Sequence, residues 1–121
     1  MVVNKALVSG QDIKDFSEQI GFLSQTLFVM RSKPVHGIEL VMNNLDSHLD
    51  YWKDNEEKKV LFAAGPILSK DINEAWSGEG MVIYRANTLK EAHSISEMDP
   101  MHISRARNYT IETWLLNHLE V

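Results

Sequence analysis

His48 and Asp99 are the residues whose types and surroundings best suit acid–base chemistry. An imidazole can exchange a proton near neutral pH, and His48 lies beside an apolar helical stripe, about 70° from its centre. Asp99 follows a second predicted helix, where exposed carbonyl groups disfavour a carboxylate by about 0.3–1 kcal/mol. A carboxylate held at such a position predicts a cationic partner, and His48 is the candidate.

Both residues also have a plainer interpretation. His48 could be a half-buried structural histidine that is hydrogen-bonded to a neighbour, and Asp99 could begin a turn, as aspartate before proline often does. Helices on the same sheet face would allow the two side chains to meet, but their spacing in the sequence does not require it.

His102 follows Asp99 closely enough to line the same cavity. His48, Asp99 and His102 together would offer imidazole and carboxylate ligands, so a divalent metal site is conceivable from residue type. Three other histidines are expected at the surface: His36, His93 and His118.

Basic and glycine-rich positions carry weaker signals. Arg105, Arg107 and Tyr109 could reach an anionic substrate from the last predicted strand, but we expect contacts with solvent or within a dimer. Gly78 and Gly80 lack the strand–turn–helix context of a phosphate-binding loop.

The hydrophobic pattern predicts the elements that must position these residues. Period-two and continuous apolar runs indicate strands, whereas apolar spacings of three and four indicate helices. A threonine followed three residues later by glutamate matches a capping box, and Pro100 ends the helix that this box begins. The predicted elements are a strand at Phe22–Arg31, a helix at Val35–Lys58, strands at Val60–Ala64 and Met81–Ala86, a helix from Thr88 that ends by Asp99, and a strand at Asn108–Leu116.

The order β-α-β-β-α-β predicts an α+β, ferredoxin-like fold. It places two helices on one face of a four-stranded antiparallel sheet. Strands with apolar residues on both faces, such as Val82 and Ile83, would leave the other face bare in a monomer, so we expect a homodimer. Residues 1–21, with a helix around Asp12–Ile20 and a break at Gly21, are expected to form an N-terminal arm or extra helix, and residues 22–121 the domain.

Composition narrows the class of partner. The 121 residues suit a single domain, and 12 basic against 17 acidic residues, a net charge of −5, argue against nucleic-acid binding. Cysteine is absent, which removes thiolate chemistry and fits a reducing compartment. With no signal-peptide pattern and no apolar run long enough to cross a bilayer, we expect a cytoplasmic protein without membrane contact.

Five segments in order resemble the YCII-related (YciI-like) family, of the dimeric α/β barrel superfamily. The similarity extends from about Phe22 to Leu116. The segments are His48-Leu49-Asp50-Tyr51, Val60-Leu61-Phe62-Ala63-Ala64-Gly65-Pro66-Ile67, Gly80-Met81-Val82-Ile83, Leu89-Lys90-Glu91-Ala92 and Met98-Asp99-Pro100-Met101.

The resemblance implies a ferredoxin-like dimer with a His–Asp pair, at the positions of His48 and Asp99. It does not require a metal or another cofactor, and we expect neither. One relative is a dehalogenating lyase of a chlorinated hydroxyhydroquinone, so the implied activity is a lyase or isomerase acting on a small cyclic or aromatic hydroxy or oxo acid. Gly65, Pro66 and His102 are expected to contact the substrate. A non-catalytic module that binds a small metabolite is the alternative, because fold does not decide function.

Overall fold

The computed structural model describes residues 7–71 and 73–120. Positions 1–6 of the predicted N-terminal arm therefore lie outside the described residues. The elements are α1 (Gly10–Gln19), β1 (Gln25–Pro34), α2 (Ile38–Asn43), α3 (Leu45–Glu57), β2 (Leu61–Pro66), β3 (Gly80–Tyr84), α4 (Leu89–Glu97), α5 (Pro100–Ile103) and β4 (Arg107–Leu116). No helix in the described part of the chain is long and apolar enough to cross a membrane.

The strands form one sheet in the order β2-β3-β1-β4, with β3 antiparallel to both of its neighbours. This is the order of a ferredoxin-like sheet, and it confirms the predicted α+β fold. A shift in register between Leu61 and Ala63 brings Gly65 opposite Met81 and Pro66 opposite Gly80.

The main hydrophobic core lies between the sheet and two helices. Trp52 from α3 and Ala92 from α4 belong to one buried cluster with side chains of β1 and β3, so both helices cover the same face. The strand residues of this cluster are Phe28, Met30, Val82 and Tyr84. Val29 and Ile83 are opposite each other in the register and point away from the helices, because neighbouring strand residues face opposite sides.

The long helix predicted at residues 35–58 is divided at Asn44. The Asn44 side chain donates from Nδ2 to the Leu40 carbonyl at 2.9 Å, and its backbone leaves helical geometry at φ −108° and ψ 3°. An asparagine that binds a nearby backbone carbonyl offers the chain an alternative to the helical ladder. The division gives α3 its own start at Leu45, three residues before His48.

The second predicted helix begins as expected. Thr88 Oγ1 accepts a hydrogen bond from the Glu91 backbone N–H at 3.0 Å, which confirms the predicted cap of α4. The helix ends at Glu97, and a short additional helix, α5, begins at Pro100. The hydrophobic pattern of the sequence does not predict α5.

The chain divides into two compact units. The larger, Phe28–Thr113, contains the core described above. In the smaller, formed by Met1–Leu27 with Trp114–Val121, Ser9 caps α1 through the Asp12 N–H, and the helix is followed by Gly21 at φ 80°. The predicted boundary between residues 21 and 22 stays a prediction.

Candidate active site

A cavity of about 540 Å³ lies within the larger unit, beside α3 and the neighbouring ends of β2 and β3. Its volume is in the range of small-molecule sites. Apolar side chains form most of its wall, and His48 and Arg107 are the two basic residues in it. The cavity is lined by Leu45, His48, Leu49, Ala64, Gly65, Pro66, Trp76, Gly80, Met81, Val82 and Arg107.

His48 and Asp99 are in direct contact, as the sequence analysis predicted. Nδ1 of His48 lies 2.9 Å from both Oδ1 and Oδ2 of Asp99. The Asp99 side chain is completely buried, whereas 12% of the His48 side chain is exposed. The carboxylate therefore lies behind the imidazole, and the imidazole separates it from the cavity.

Two further donors hold the Asp99 carboxylate in place. Trp52 Nε1 donates to Oδ2 at 2.8 Å, and the Met101 backbone N–H donates to Oδ1 at 2.9 Å. Trp52 is four residues after His48 on α3, so the two side chains share one helix face and reach the same carboxylate. A buried carboxylate needs such donors, because burial without them is costly.

The surroundings of Asp99 favour its ionised form. Burial alone would raise the pKa of the Asp99 carboxyl, but the contact with His48 and the hydrogen bonds from Trp52 and Met101 hold that pKa below its ordinary value. Asp99 is therefore a carboxylate at neutral pH.

The prediction that Asp99 lies at an unfavourable helix end was wrong. Asp99 is the N-cap of α5, with φ −62° and ψ 128°, and Pro100 occupies the first helical position. Aspartate at an N-cap followed by proline is a favourable helix start. Its carboxylate is thus stabilised by a helix beginning, and no unfavourable macrodipole is needed to explain it.

The contact with Asp99 fixes the tautomer of His48. A carboxylate accepts hydrogen bonds, so Nδ1 of His48 carries the hydrogen in both protonation states of the ring. The other ring nitrogen, Nε2, has no hydrogen-bond partner among the described residues. In the neutral ring, Nε2 holds a lone pair that can accept a proton.

The other predicted contact residues divide into two groups. Gly65 and Pro66 line the cavity. His102 is not among the lining residues, and both of its ring nitrogens are engaged, Nδ1 by the Ser96 carbonyl at 2.6 Å and Nε2 by Ser32 Oγ at 2.7 Å. Its predicted contact with a substrate has no support in this geometry.

Arg107 was expected to contact solvent or a dimer partner, and it is not exposed to solvent. It is the first residue of β4, only 3% of it is exposed, and it lies in the cavity wall. Its Nε–H donates to the Gly78 carbonyl at 2.7 Å. Arg105, two residues earlier, is exposed as predicted.

Sequence reasoning missed two functional neighbours, Trp52 and Gly78. Trp52 was assigned only to the apolar stripe, although a buried indole N–H usually requires an acceptor. Gly78 adopts φ +107°, and a Cβ there would lie 2.9 Å from Pro34 Cγ, so only glycine fits. The lone glycines between the predicted strands were the available signal for this position.

No group of three or more metal-ligating side chains is found within residues 7–71 and 73–120. The histidine and carboxylate groups at this site already bind one another. Of the three residues considered for a metal, His102 binds Ser32 and Ser96 instead of facing Asp99.

Comparisons with known proteins agree with the fold. The model of the YCII-related domain matches residues 25–115. A solved structure of 5-chloro-2-hydroxyhydroquinone dehydrochlorinase from Burkholderia phenoliruptrix, in complex with 2,5-dihydroxybenzoquinone, is similar with a TM-score of 0.61 and 23% identity, over 73% of this chain and 92% of that one. At this identity the similarity shows the fold. No curated protein matches the chain.

Proposed function

The chain belongs to the YCII-related domain family, and on that premise we propose that it is a lyase or isomerase that acts on a small cyclic or aromatic hydroxy or oxo acid. One observation carries the proposal: a hydrogen-bonded His48–Asp99 pair whose free imidazole edge lies in the wall of a cavity of about 540 Å³. A histidine oriented by a buried carboxylate is suited to proton transfer without any further group.

His48 acts as the proton-transfer residue. Its Nε2 lone pair removes a proton from a carbon or oxygen of the substrate, while Nδ1–H stays hydrogen-bonded to Asp99. The resulting imidazolium is stabilised by the Asp99 carboxylate, which is ionised before the reaction begins. The apolar wall strengthens this interaction because water does not screen it there.

The fate of the released electron pair distinguishes the two reaction types. In a lyase the C–H pair becomes a new π bond, and the leaving group departs with its own bonding electrons. In an isomerase the π electrons shift and the imidazolium returns its proton to a different atom. The similar dehydrochlorinase supports the lyase, in which chloride would leave with the bonding pair and His48 would keep the proton until solvent removes it.

The experiment is an assay of purified protein with 5-chloro-2-hydroxyhydroquinone and a panel of small aromatic hydroxy and oxo acids. Chloride release and absorbance changes report turnover. We expect His48→Gln to lower kcat by about 10²- to 10⁴-fold, which is the usual contribution of general acid–base catalysis. The surface variant His36→Gln is the control.

Two results would contradict this proposal. Full turnover by His48→Gln and Asp99→Asn would remove the pair from the mechanism. Binding of panel members without turnover by the wild-type protein would instead support the alternative, a module that holds a small metabolite.

We also infer that the protein is a homodimer. Val29 and Ile83 are partly exposed on the sheet face opposite the helices, and a second sheet would cover them. Sedimentation equilibrium should give twice the chain mass, and Ile83→Lys should lower it to one chain. A monomeric wild-type protein would contradict this inference. Cytoplasmic localisation stays a prediction.

A further inference from the structure

Arg107 is the most deeply buried cation at the cavity. The backbone before it reverses at Arg105, which adopts φ 63°, and β4 then begins with Arg107 itself. The Arg107 guanidinium lies over Gly80, where a Cβ would be 3.4 Å from Nη1 and 3.6 Å from Nη2. Both Arg107 and Gly80 line the cavity. The position of the side chain is therefore fixed by packing within the protein.

Only one edge of this guanidinium has a hydrogen-bond partner among the described residues. Nε–H donates to the Gly78 carbonyl, and neither terminal nitrogen is hydrogen-bonded to any described residue. The charges of Asp99 and Glu79 act on Arg107, but the carboxylate of Asp99 binds His48 and Trp52, and Glu79 binds Arg31 at 2.8 Å. Arg107 is thus a buried cation to which no carboxylate of the described residues is bound.

Burial of a cation is unfavourable unless an anion or hydrogen-bond acceptors bind it. Burial lowers the pKa of Arg107, against the opposing charges of Asp99 and Glu79, and an arginine remains protonated at neutral pH even so. A guanidinium presents its terminal N–H groups in a planar fork that matches two oxygens sharing one negative charge. Such an anion, entering from the cavity, would satisfy the free nitrogens.

We propose that Arg107 binds an oxyanion of the substrate, either a carboxylate or a pair of adjacent ring oxygens of which one is deprotonated. This proposal rests on the proposed function, because it assigns a substrate class to the same cavity. Arg107 would fix one end of the ligand by charge, the apolar wall would contact the ring, and His48 would meet the reacting atom.

Gly78 has a positioning role in this arrangement. Its carbonyl holds the Nε edge of Arg107, and its positive φ and close contacts with Pro34, Ile38 and Val41 exclude any side chain. With the Nε edge fixed to the backbone, the terminal nitrogens are left for the ligand. The fork is therefore preorganised, which reduces the entropy lost on binding.

Isothermal titration calorimetry at neutral pH tests the proposal with defined probes. The anionic probes are 2,5-dihydroxybenzoquinone and 2,5-dihydroxybenzoate, and the neutral probe is hydroquinone. We expect Arg107→Gln to weaken binding of at least one anionic probe by about tenfold or more, since charge-assisted bidentate contacts are the strong ones. Hydroquinone binding should not change. Arg107→Lys keeps the charge without the fork and should fall between the two.

Controls separate this proposal from the proposed function. His48→Gln should still prefer the anionic probes over hydroquinone and yet lose about 10²- to 10⁴-fold in kcat, so anion binding and catalysis fail independently. Arg105→Gln, an exposed arginine two residues away, should bind like the wild type. Circular dichroism and the melting temperature establish that each variant is folded.

Three results would overturn the proposal. These are unchanged anionic binding by Arg107→Gln, equal loss of anionic and neutral binding, and a wild-type protein that binds no anionic probe. If Arg107→Gln does not fold, Arg107→Lys and the preference of the wild type for anionic over neutral probes decide the matter. Absence of that preference would then refute it.

Discussion

Two histidines of the larger unit, His48 on α3 and His102 on α5, are both largely withdrawn from solvent but have opposite surroundings. His48 binds a carboxylate through Nδ1 and has a free Nε2 at the cavity. His102 binds neutral oxygen atoms through both nitrogens, the Ser96 carbonyl and the Ser32 hydroxyl. The two rings therefore differ in whether a nitrogen is still available to accept a proton from a substrate.

His102 is part of a hydrogen-bond network of polar groups within the core. Ser96 Oγ lies 2.6 Å from the hydroxyl of Tyr84, which in turn donates to the Ala92 carbonyl at 2.7 Å. Burial raises the pKa of Tyr84 to about 12 and lowers the pKa of His102. Since a carbonyl only accepts hydrogen bonds, Nδ1 of His102 is the protonated nitrogen and Nε2 accepts from Ser32.

The comparison shows what separates a structural histidine from one that can transfer a proton. Each is satisfied at Nδ1, so burial and a fixed tautomer are common to both. A carboxylate that stabilises the charged ring and an unoccupied Nε2 belong to His48 alone of the two.

The largest expected effect is on turnover in matched glutamine variants. His48→Gln should reduce kcat by about 10²- to 10⁴-fold, whereas His102→Gln should leave kcat little changed and lower the melting temperature. Initial rates and thermal unfolding on the same preparations provide the measurement. Equal losses of kcat in the two variants would contradict the assignment of proton transfer to His48 and of a structural role to His102.

The next effect concerns the carboxylate. Asp99→Asn replaces one accepting oxygen with an amide NH₂ group, which then faces the donor of either Trp52 or Met101, and we expect a loss of about 2–3 kcal/mol in the free energy of unfolding. Ser32→Ala removes only a neutral partner of His102 and should cost about 1 kcal/mol. Urea denaturation compares them, and a larger loss for Ser32→Ala would contradict the ranking.

Trp52→Phe should have a smaller effect that is confined to the His48–Asp99 site. It keeps an aromatic ring in the core but removes the donor to Asp99 Oδ2, at a cost of about 1.5 kcal/mol for a hydrogen bond to a charged group. The pKa of Asp99 should rise, because that hydrogen bond lowers it in the native protein. Carboxyl NMR titration measures the pKa, and an unchanged value would show that Trp52 does not stabilise the carboxylate.

Much of the fold could be predicted because its signals are local. The cap at Thr88, the apolar stripe that includes Trp52 and the apolar run of β3 each depend on residues close in sequence. The division at Asn44 and the short helix after Asp99 depend on hydrogen bonds between side chains and the backbone, which compete with continuation of the helix. Periodicity does not contain that information.

The site was predictable in part for the same reason. His48 and Asp99 could be identified by type and position, although the cap at Asp99 was interpreted as an unfavourable helix end. The burial of Arg107 was not predictable, because it depends on the Gly78 carbonyl, 29 residues earlier in the chain. The engagement of His102 likewise depends on Ser32 of β1.

The last prediction concerns pH, and it separates the two histidine sites without a substrate. The folded-state pKa of His102 lies below its ordinary value of 6.5, so the unfolded chain binds the proton more readily. His102 therefore contributes stability that is present above pH 6.5 and is lost as pH falls below it, by at most about 1.4 kcal/mol per pH unit. The pKa of Asp99 is also lowered, but its contribution is lost only below about pH 3.8, where the unfolded carboxyl gains a proton. Melting temperatures between pH 8 and pH 5 should decline less in His102→Gln than in the wild type or in the exposed control His36→Gln, and an identical decline in all three would mean that His102 does not carry this dependence.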